Sequence, residues 1–387
     1  MIRRPPRSTQ GVSSAASDVY KRQVSYRTVL FFALGVLTFC SGCSDLGYYW
    51  QAASGHLELL NRKQDIQELL DSPHTPAELK RKLKLVKSVR KFAIQQLAIP
   101  ENEGYSGYVE LDRPYVTMVV TAAPELELNA RKWCYWFIGC QEYRGYFDEE
   151  QARTYAEELR RQELDVSVSQ ITAYSTLGWL NKSWMPDYFS DPVLSTFLRR
   201  NDAELITVLI HEMAHQVVYV SNDTSFNESF AVFVEQEGLR QFLGYADEKA
   251  ILDKDRAELY QWYLKARKDR QLFRHLINST FEEMEELFSS ELANAEKLRK
   301  KQQLFDDLRE NYLTHKNEFR VLSYDNWFKQ DLNNTHLLGV KRYHSKVDKF
   351  ERLFNQQGKD WGQFFQAVRE LAEASLKERN RRLSLLN

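Results

Sequence analysis

Hydrophobic positions recur at helical spacing over most of the chain. Residues 75–97 carry Leu79, Leu83 and Val86 on one stripe, and Pro76 suits the first turn of a helix. The same spacing predicts helices in four further segments, residues 45–70, 148–162, 246–320 and 333–374. The third is a charged segment that predicts a long helical hairpin with a solvated face. The fourth predicts a final helical pair split by Gly358.

Two segments have the pattern of β-strands instead. Residues 115–122 (YVTMVVTA) are rich in β-branched side chains, and residues 165–174 (DVSVSQITAY) alternate polar and apolar positions. Residues 135–140 fit a further strand or a turn. The expected fold is therefore α+β and predominantly α, with a small sheet.

Residues 203–220 (AELITVLIHEMAHQVVYV) form an apolar segment without Gly or Pro, which Asn201 or Asp202 can cap as a helix. His211 and His215 are four residues apart, so both imidazoles lie on one face and can reach one metal ion. Glu212 lies between them, where a carboxylate can hold a metal-bound water. The alternative is a pair of core histidines bonded to nearby carboxylates.

A third ligand is expected from the next helical segment. After a turn-like stretch at residues 221–225, a second helical pattern runs over residues 228–242 and opens at Glu228. Glu228 is the candidate ligand, and the alternative is a first-turn glutamate stabilised by the helix dipole. Glu235 and Glu237 are alternative ligands two turns further on. The expected centre has three protein ligands and one open position.

The His-Glu-x-x-His helix followed by Asn-Glu-x-Phe-Ala resembles the gluzincin metallopeptidases, in which the glutamate of the second helix binds zinc. A closer resemblance is to a bacterial family of predicted zinc aminopeptidases, often lipoproteins. It covers roughly residues 40–380 and rests on four motifs: WCYWFIGCQEYRGYF (133–147), AYSTLGWL (173–180), LIHEMAHQ (209–216) and DTSFNESFAVFVEQEG (223–238). The resemblance implies a zincin-like metallopeptidase, with a small β-sheet beside the His-Glu-x-x-His helix, a helical C-terminal part, one Zn²⁺ ion and a peptide substrate.

The resemblance also implies roles for other residues. Glu212 would be the general base, and hydrolases of this clan use a Tyr or His to stabilise the tetrahedral oxyanion. Tyr343 and His344 are the first candidates for that donor, followed by His336 and Tyr174. Residues 171–174 would be an edge strand that pairs with the substrate backbone, with Tyr174 at the substrate. An ordinary inner strand is the alternative.

The sequence leaves open which residue orients a ligand histidine and which type of activity the site has. Asp223 or Asn227 is expected to orient a ligand histidine, an inference from proximity in sequence alone. The sequence identifies no carboxylate that would bind the α-amine of a substrate, so a zinc endopeptidase is an alternative to an aminopeptidase. A non-catalytic envelope scaffold or chaperone is the alternative from another class, and the intact Glu212 argues against it.

The N-terminus resembles an export signal. Residues 1–23 differ from the rest and are interpreted as a non-native or disordered tail. Residues 24–43 contain an apolar run too short for an ordinary transmembrane helix, and they end in Cys-Ser-Gly-Cys, which resembles a lipobox. Lipidation of Cys43 would anchor the protein in the bacterial cell envelope, facing the periplasm, with the outer membrane favoured. A plain secretory signal or an uncleaved anchor is the alternative.

Composition and length limit the partners and the domain organisation that we expect. The chain has 387 residues, 43% of them hydrophobic, with a formal net charge of −1, so nothing indicates a nucleic-acid partner. Residues 44–245 are expected to hold the N-terminal helices, the sheet and the metal-binding helices, and residues 246–387 a helical region that completes the site. Cys134 and Cys140 could pair in an oxidising periplasm, or remain two buried thiols.

Overall fold

The computed structural model describes residues 43–135, 139–173, 176, 186–245, 256–344 and 346–386, without the side chains of residues 43–46, 245 and 342–344. The predicted tail and nearly all of the predicted signal segment lie outside these residues. The chain divides into two compact units, Met1–Ala53 and Ser54–Asn387. In the described part of the chain, no helix is both long enough and apolar enough to cross a bilayer.

Helices make up most of the described chain, as the hydrophobic pattern predicts. They are α1 (Cys43–Asn61), α2 (Ile66–Asp71), α3 (Ala77–Gln96), α4 (Glu149–Arg160), α5 (Ser195–Leu198), α6 (Asp202–Ala214), α7 (Thr224–Tyr245), α8 (Arg256–Ser289), α9 (Asn294–His315), α10 (Asp325–Phe328), α11 (Asn334–His344), α12 (Val347–Gln356), α13 (Trp361–Glu373) and α14 (Leu376–Ser384).

The strands are short and form small sheets. They are β1 (Gln64–Asp65), β2 (Gly107–Val109), β3 (Thr117–Pro124), β4 (Trp133–Tyr135), β5 (Gly139–Gln141), β6 (Arg144–Tyr146), β7 (Leu164–Ile171) and β8 (Val193–Leu194). Their orders in the described sheets are β1-β2-β8, β6-β3-β7 and the hairpin β4-β5. The α+β, predominantly helical class is therefore confirmed.

The sheet β6-β3-β7 corresponds to the two predicted strands. Strands β3 and β7 pair antiparallel over their whole length, from Thr117 opposite Ile171 to Pro124 opposite Leu164. β7 is an edge strand of the described sheet and ends at Ile171, and Tyr174 lies outside the described residues. Helices α4 and α11 pack on this sheet. Its end is tied to α5 and to the link between α5 and α6 by hydrogen bonds from the Thr196 and Arg200 side chains to Thr172.

One large hydrophobic core lies within Ser54–Asn387 and draws on both halves of that unit. It includes Val86 and Val89 of α3, Leu209 of α6, Phe230 of α7 and Phe364 of α13. A second, smaller core joins the long helices α8 and α9, which form the predicted hairpin, to α10 and α11. The helices after residue 330 are thus integral to both cores rather than peripheral to them.

Three expected boundaries differ from the structure. The helix predicted over residues 203–220 ends at Ala214, and the helix predicted from Glu228 already begins at Thr224. The final helical pair consists of three helices, α11 to α13, with α14 after them. Periodicity missed these boundaries because an apolar turn has the composition of a helix, and only side-chain contacts decide where the helix ends.

Candidate metal centre

His211, His215 and Glu228 converge on one point. The Nε2 atoms of His211 and His215 lie 3.3 and 3.9 Å from Glu228 Oε2, and the candidate ligand atoms of the three residues all lie within 4.8 Å of one another. A tetrahedral zinc ion with ligands about 2.0–2.2 Å away places those ligands roughly 3.3–3.5 Å apart. The arrangement therefore needs only small side-chain shifts to surround one ion.

Helix α6 presents both histidines because its opposite face is fixed in the core. The Asn201 side chain caps its N-terminus by accepting a hydrogen bond from the Glu204 amide at 2.9 Å. Leu205 and Leu209 are fully buried on its apolar side. The helix ends just before His215, which is its C-cap residue. His211 therefore lies in the last turn and His215 directly after it, one turn apart on the same face.

Asn227 lies in the first turn of α7 and is bonded to the segment that follows α6. Its side-chain amide accepts a hydrogen bond from the Val220 N–H and donates one to the Val220 carbonyl, both at 2.9 Å. These bonds satisfy the N–H and the carbonyl of Val220, which lies outside both helices. Glu228 follows directly, buried in the second turn of α7. The same clamp therefore carries the third candidate ligand towards the histidines.

A close contact between helices α6 and α7 brings these residues together. Gly238 faces α6, and a Cβ atom there would lie 3.1 Å from the Ile210 side chain and 2.9 Å from Leu97. A larger residue there would require these two side chains to shift. The glycine thus allows a close approach between α7 and Ile210 of α6.

Glu235, rather than Asp223 or Asn227, orients a ligand histidine. Its Oε2 lies 2.8 Å from His211 Nδ1, on the ring edge opposite the Nε2 that faces Glu228. Asn227 is occupied by Val220, and Asp223 pairs with Arg379 at 2.9 Å. The expectation from proximity in sequence was therefore wrong. The spacing of seven residues between Glu228 and Glu235, about two helical turns, is the sequence signal that places both on one face.

Burial and neighbouring carboxylates act in opposite directions on the two histidines. Burial lowers the pKa of His211, but hydrogen bonds with Glu228 and Glu235 outweigh it and raise that pKa well above the usual value. Burial lowers the pKa of His215 to about 4, against an opposing effect of Glu228. Nδ1 of His215 is buried without a hydrogen-bond partner among the described residues. His215 is therefore a neutral imidazole, as a metal ligand must be.

Glu212 lies between the histidines on α6 and is half-buried. It follows His211 directly, so the helix turns its side chain about 100° from that of His211. The structure therefore places Glu212 on the same helix as both candidate ligand histidines, partly exposed to solvent.

Comparison with known proteins gives one match. A protein-family model described as "Putative aminopeptidase" matches residues 47–383. The chain belongs to this family. The family supports peptidase activity, and the match covers both helices that carry the candidate ligands and the C-terminal helices. No curated protein and no solved structure matches the chain.

The hairpin β4-β5 contacts the loop that joins α6 to α7. Cys134 and Cys140 form a disulfide across the hairpin. The Cys140 N–H donates a hydrogen bond to Asn222 Oδ1 at 2.7 Å, and Gln141 Nε2 donates one to the Tyr219 hydroxyl at 2.6 Å. The hairpin thus holds the segment that directly follows His215, a contact that the sequence did not reveal.

None of the other predicted site residues has a described contact with the candidate ligands. Tyr343 and His344 lie at the end of α11, which packs along α7, but their side chains are outside the described part of the chain. Helix α1 begins at Cys43, whose side chain is also outside it. His336 contacts Asn333 and the ring of Trp327. Among described residues, no hydrogen bond joins His336 to a candidate ligand, so its contacts are structural.

Proposed function

We propose that this protein is a zinc-dependent aminopeptidase with a zincin-like fold, in which His211, His215 and Glu228 hold one Zn²⁺ ion. The convergence of their ligand atoms within 4.8 Å is the observation that carries the proposal. Membership of the family supports a peptide substrate. Two imidazoles and one carboxylate are a donor set that suits zinc, and three protein ligands leave one position open.

The charge of the cluster supports a divalent cation. Glu228 and Glu235 bring two carboxylates to the His211 ring in a largely buried place. Buried charges are costly unless they are paired. A divalent ion with two neutral imidazoles balances both carboxylates. Glu235 then holds the His211 ring with its Nε2 towards the ion, as carboxylate partners of ligand histidines do.

Each residue has a defined task in hydrolysis. The ion, when bound, supplies a Lewis acid that polarises a peptide carbonyl and makes a neighbouring water more acidic. Glu212 accepts the proton of the attacking water and returns it to the leaving amine. His215, neutral and buried, keeps its position through the packing of α6.

We also propose where the protein is located in the cell. Lipidation of Cys43 would anchor the protein in the bacterial envelope with its site facing the periplasm. The disulfide between Cys134 and Cys140 supports an oxidising compartment. Labelling with an alkyne fatty acid tests the anchor: the wild type should incorporate the label and Cys43→Ser should not.

Metal analysis combined with hydrolysis assays tests the activity. The purified protein should contain one zinc per chain and hydrolyse amino-acyl amides. Glu212→Gln should keep the zinc and lose roughly 10²- to 10⁴-fold in kcat, the usual contribution of a general base. Glu204→Gln removes a carboxylate from the same helix and should leave kcat unchanged.

The outcomes separate the alternatives. A protein that binds no zinc contradicts the proposal. Cleavage confined to N-terminally blocked peptides would make the protein an endopeptidase. Zinc binding with equal inactivity of the wild type and Glu212→Gln on every substrate would favour a scaffold or chaperone.

A further inference from the structure

A polar cavity of about 360 Å³ lies between helices α7, α8, α11 and α12. Arg267 and Arg274 line it from α8, Lys341 from α11 and Gln236 from α7. Its volume falls in the range of small-molecule sites, which is roughly 300–1,000 Å³. None of these residues takes part in the proposed hydrolysis.

Three arginines form one stripe of α8 beside this cavity. Arg267, Arg270 and Arg274 are spaced three and four residues apart, so they share a helix face, and all three are half-buried. No described residue forms a hydrogen bond or an ion pair with any of the three. Burial lowers the pKa of Arg274; Asp348 opposes this, and the charges of Arg267 and Arg270 add to it. The stripe is therefore a concentration of positive charge that lacks a bonded counterion among the described residues.

Two buried lysines elsewhere in the described chain are paired with carboxylates. Lys82 lies 2.8 Å from an oxygen of Asp202, and Lys301 lies 2.6 Å from Asp165. Withdrawing a cation from water is unfavourable unless a partner compensates for it. The arginine stripe departs from this rule at the place where the structure leaves an open volume.

The rest of the lining favours an anion over a cation. The side-chain amides of Gln236 and Asn278 offer N–H donors to the cavity. Two carboxylates, Glu282 and Asp348, also line it, but both residues are exposed to water. Arg267 and Arg274 are half-buried by contrast, and guanidinium groups match oxyanions through two parallel N–H donors.

We propose that this cavity binds an oxyanion, the carboxylate or phosphate group of a small ligand, through the guanidinium groups of Arg267 and Arg274. Gln236 directly follows Glu235 on α7, so the site adjoins the helix that carries the metal-centre carboxylates. The proposal goes beyond the peptidase function and does not depend on it.

Isothermal titration of the whole protein tests the site with three probes: inorganic phosphate, N-acetylglycine and the amide of N-acetylglycine. Phosphate or N-acetylglycine should bind, and the uncharged amide should not. Binding of only one of the two anions identifies the source of the oxyanion. Arg267→Gln and Arg274→Gln should each weaken binding by about tenfold or more, because hydrogen bonds to charged groups are the strong ones.

Lys268→Gln is the matched control, since it removes an exposed cation from the same helix outside the cavity lining. It should leave the affinity unchanged. Absence of binding by both anions overturns the proposal, as does equal binding by wild type and both arginine variants. An equal loss in Lys268→Gln overturns it too, because the attraction would then come from the overall charge of α8. Circular dichroism checks the fold of each variant, and either arginine variant alone suffices if the other fails to fold.

Discussion

Glu235 lies behind His211 and fixes the orientation of its ring, with 2.8 Å between its carboxylate and His211 Nδ1. In the neutral ring that the proposed zinc site requires, this hydrogen bond would keep the proton on Nδ1 and the lone pair on Nε2, the nitrogen nearest Glu228. A carboxylate partner of this kind also raises the basicity of a ligand imidazole. At the scale of the residue, metal affinity should therefore depend on a side chain that does not itself touch the metal.

Glu235→Gln should weaken zinc binding by about 10- to 100-fold, the usual effect of losing such a partner. Competition with a chromogenic chelator measures this affinity. Glu237→Gln is the control, because Glu237 pairs with Arg240 and Gln241 on the same helix instead of with a histidine. Equal affinity of wild type and Glu235→Gln would contradict the role of Glu235.

Asp202, the first residue of α6, joins that helix to α3. Its carboxylate bonds Arg81 and Lys82, each at 2.8 Å, and it is buried. Burial alone would raise the pKa of Asp202, but the hydrogen bonds from Arg81 and Lys82 outweigh it and lower the pKa. The stabilisation is therefore present above the unfolded-state pKa, near pH 4, and is lost as the pH falls below it.

Asp202→Asn should lower the free energy of unfolding by about 3–5 kcal/mol at pH 7, because it leaves two cations without their buried partner. The difference from wild type should shrink as the pH falls below about 4. Urea unfolding at both pH values measures it. Glu78→Gln, which removes the exposed partner of Arg81, should cost about 1 kcal/mol or less. A pH-independent difference would contradict the ion-pair account.

The candidate ligands could be predicted from sequence because their geometry is local. Four residues of a helix bring His211 and His215 to one face, and no tertiary information is needed. The function of Glu235 could not be predicted in this way, since it depends on the crossing of α6 and α7. Sequence proximity selected Asp223 and Asn227 instead, whose side chains turn towards Arg379 and Val220.

At the scale of the element, the hairpin β4-β5 holds the loop between the two helices that carry the candidate ligands. Its disulfide closes the hairpin, and its backbone and Gln141 hold Asn222 and Tyr219 in the loop after His215. Gly139 has a φ of 76° and approaches Asn222 so closely that a Cβ atom would lie 2.9 Å from its Oδ1. The loop position therefore depends on the shape of the hairpin.

Opening this disulfide should weaken zinc binding as well as stability. Loss of so small a covalent loop costs about 2 kcal/mol by chain entropy, and a looser hairpin frees the segment between His215 and Glu228. Zinc affinity and thermal midpoint should both fall in a Cys134→Ser, Cys140→Ser double variant. Gln141→Leu should lower zinc affinity with the disulfide intact, and Gln170→Leu, at an exposed position of β7, should not. Unchanged affinity in the double variant and in Gln141→Leu would show that the hairpin does not support the site.

The hydrophobic period predicted whether a segment is a helix or a strand, but it did not predict the residues at which these elements end. The apolar segment after His215 continues the helical pattern, yet the Asn227 side chain binds Val220 and the chain turns. The strand predicted over residues 165–174 is β7, which ends at Ile171. In both cases side-chain contacts from outside the segment accompany the boundary, and a local hydrophobic pattern does not contain them.

At the scale of the whole molecule, the C-terminal helices complete the core around the metal-binding helix α7. Phe230 is fully buried, two residues after Glu228, and its ring contacts Phe350, Phe364 and Phe365. The predicted division into residues 44–245 and 246–387 therefore follows the order of the chain. The hydrophobic core of Ser54–Asn387 contains residues from both of these segments. A hydrophobic period of three or four residues carries no information about such long-range packing.

Phe230→Ala should lower the free energy of unfolding by about 3–5 kcal/mol, the usual cost of removing a buried aromatic ring. Because the ring joins α7 to α12 and α13, unfolding should stay a single transition at a lower midpoint. Denaturant unfolding followed by circular dichroism checks this. Leu313→Ala, at a side chain that is 64% exposed, is the control and should change stability little. A wild-type protein whose C-terminal helices unfold separately would contradict the shared core.

The central claim is that two histidines and one glutamate bind zinc, and X-ray absorption at the zinc edge tests it most directly. The zinc-loaded protein should show only nitrogen and oxygen neighbours, at about 2.0–2.2 Å, with the outer-shell pattern of two imidazoles. In Glu228→Ala the imidazole pattern should persist while the zinc is held more weakly. A sulfur neighbour at about 2.3 Å, or a spectrum with fewer than two imidazoles, would contradict the site formed by His211, His215 and Glu228.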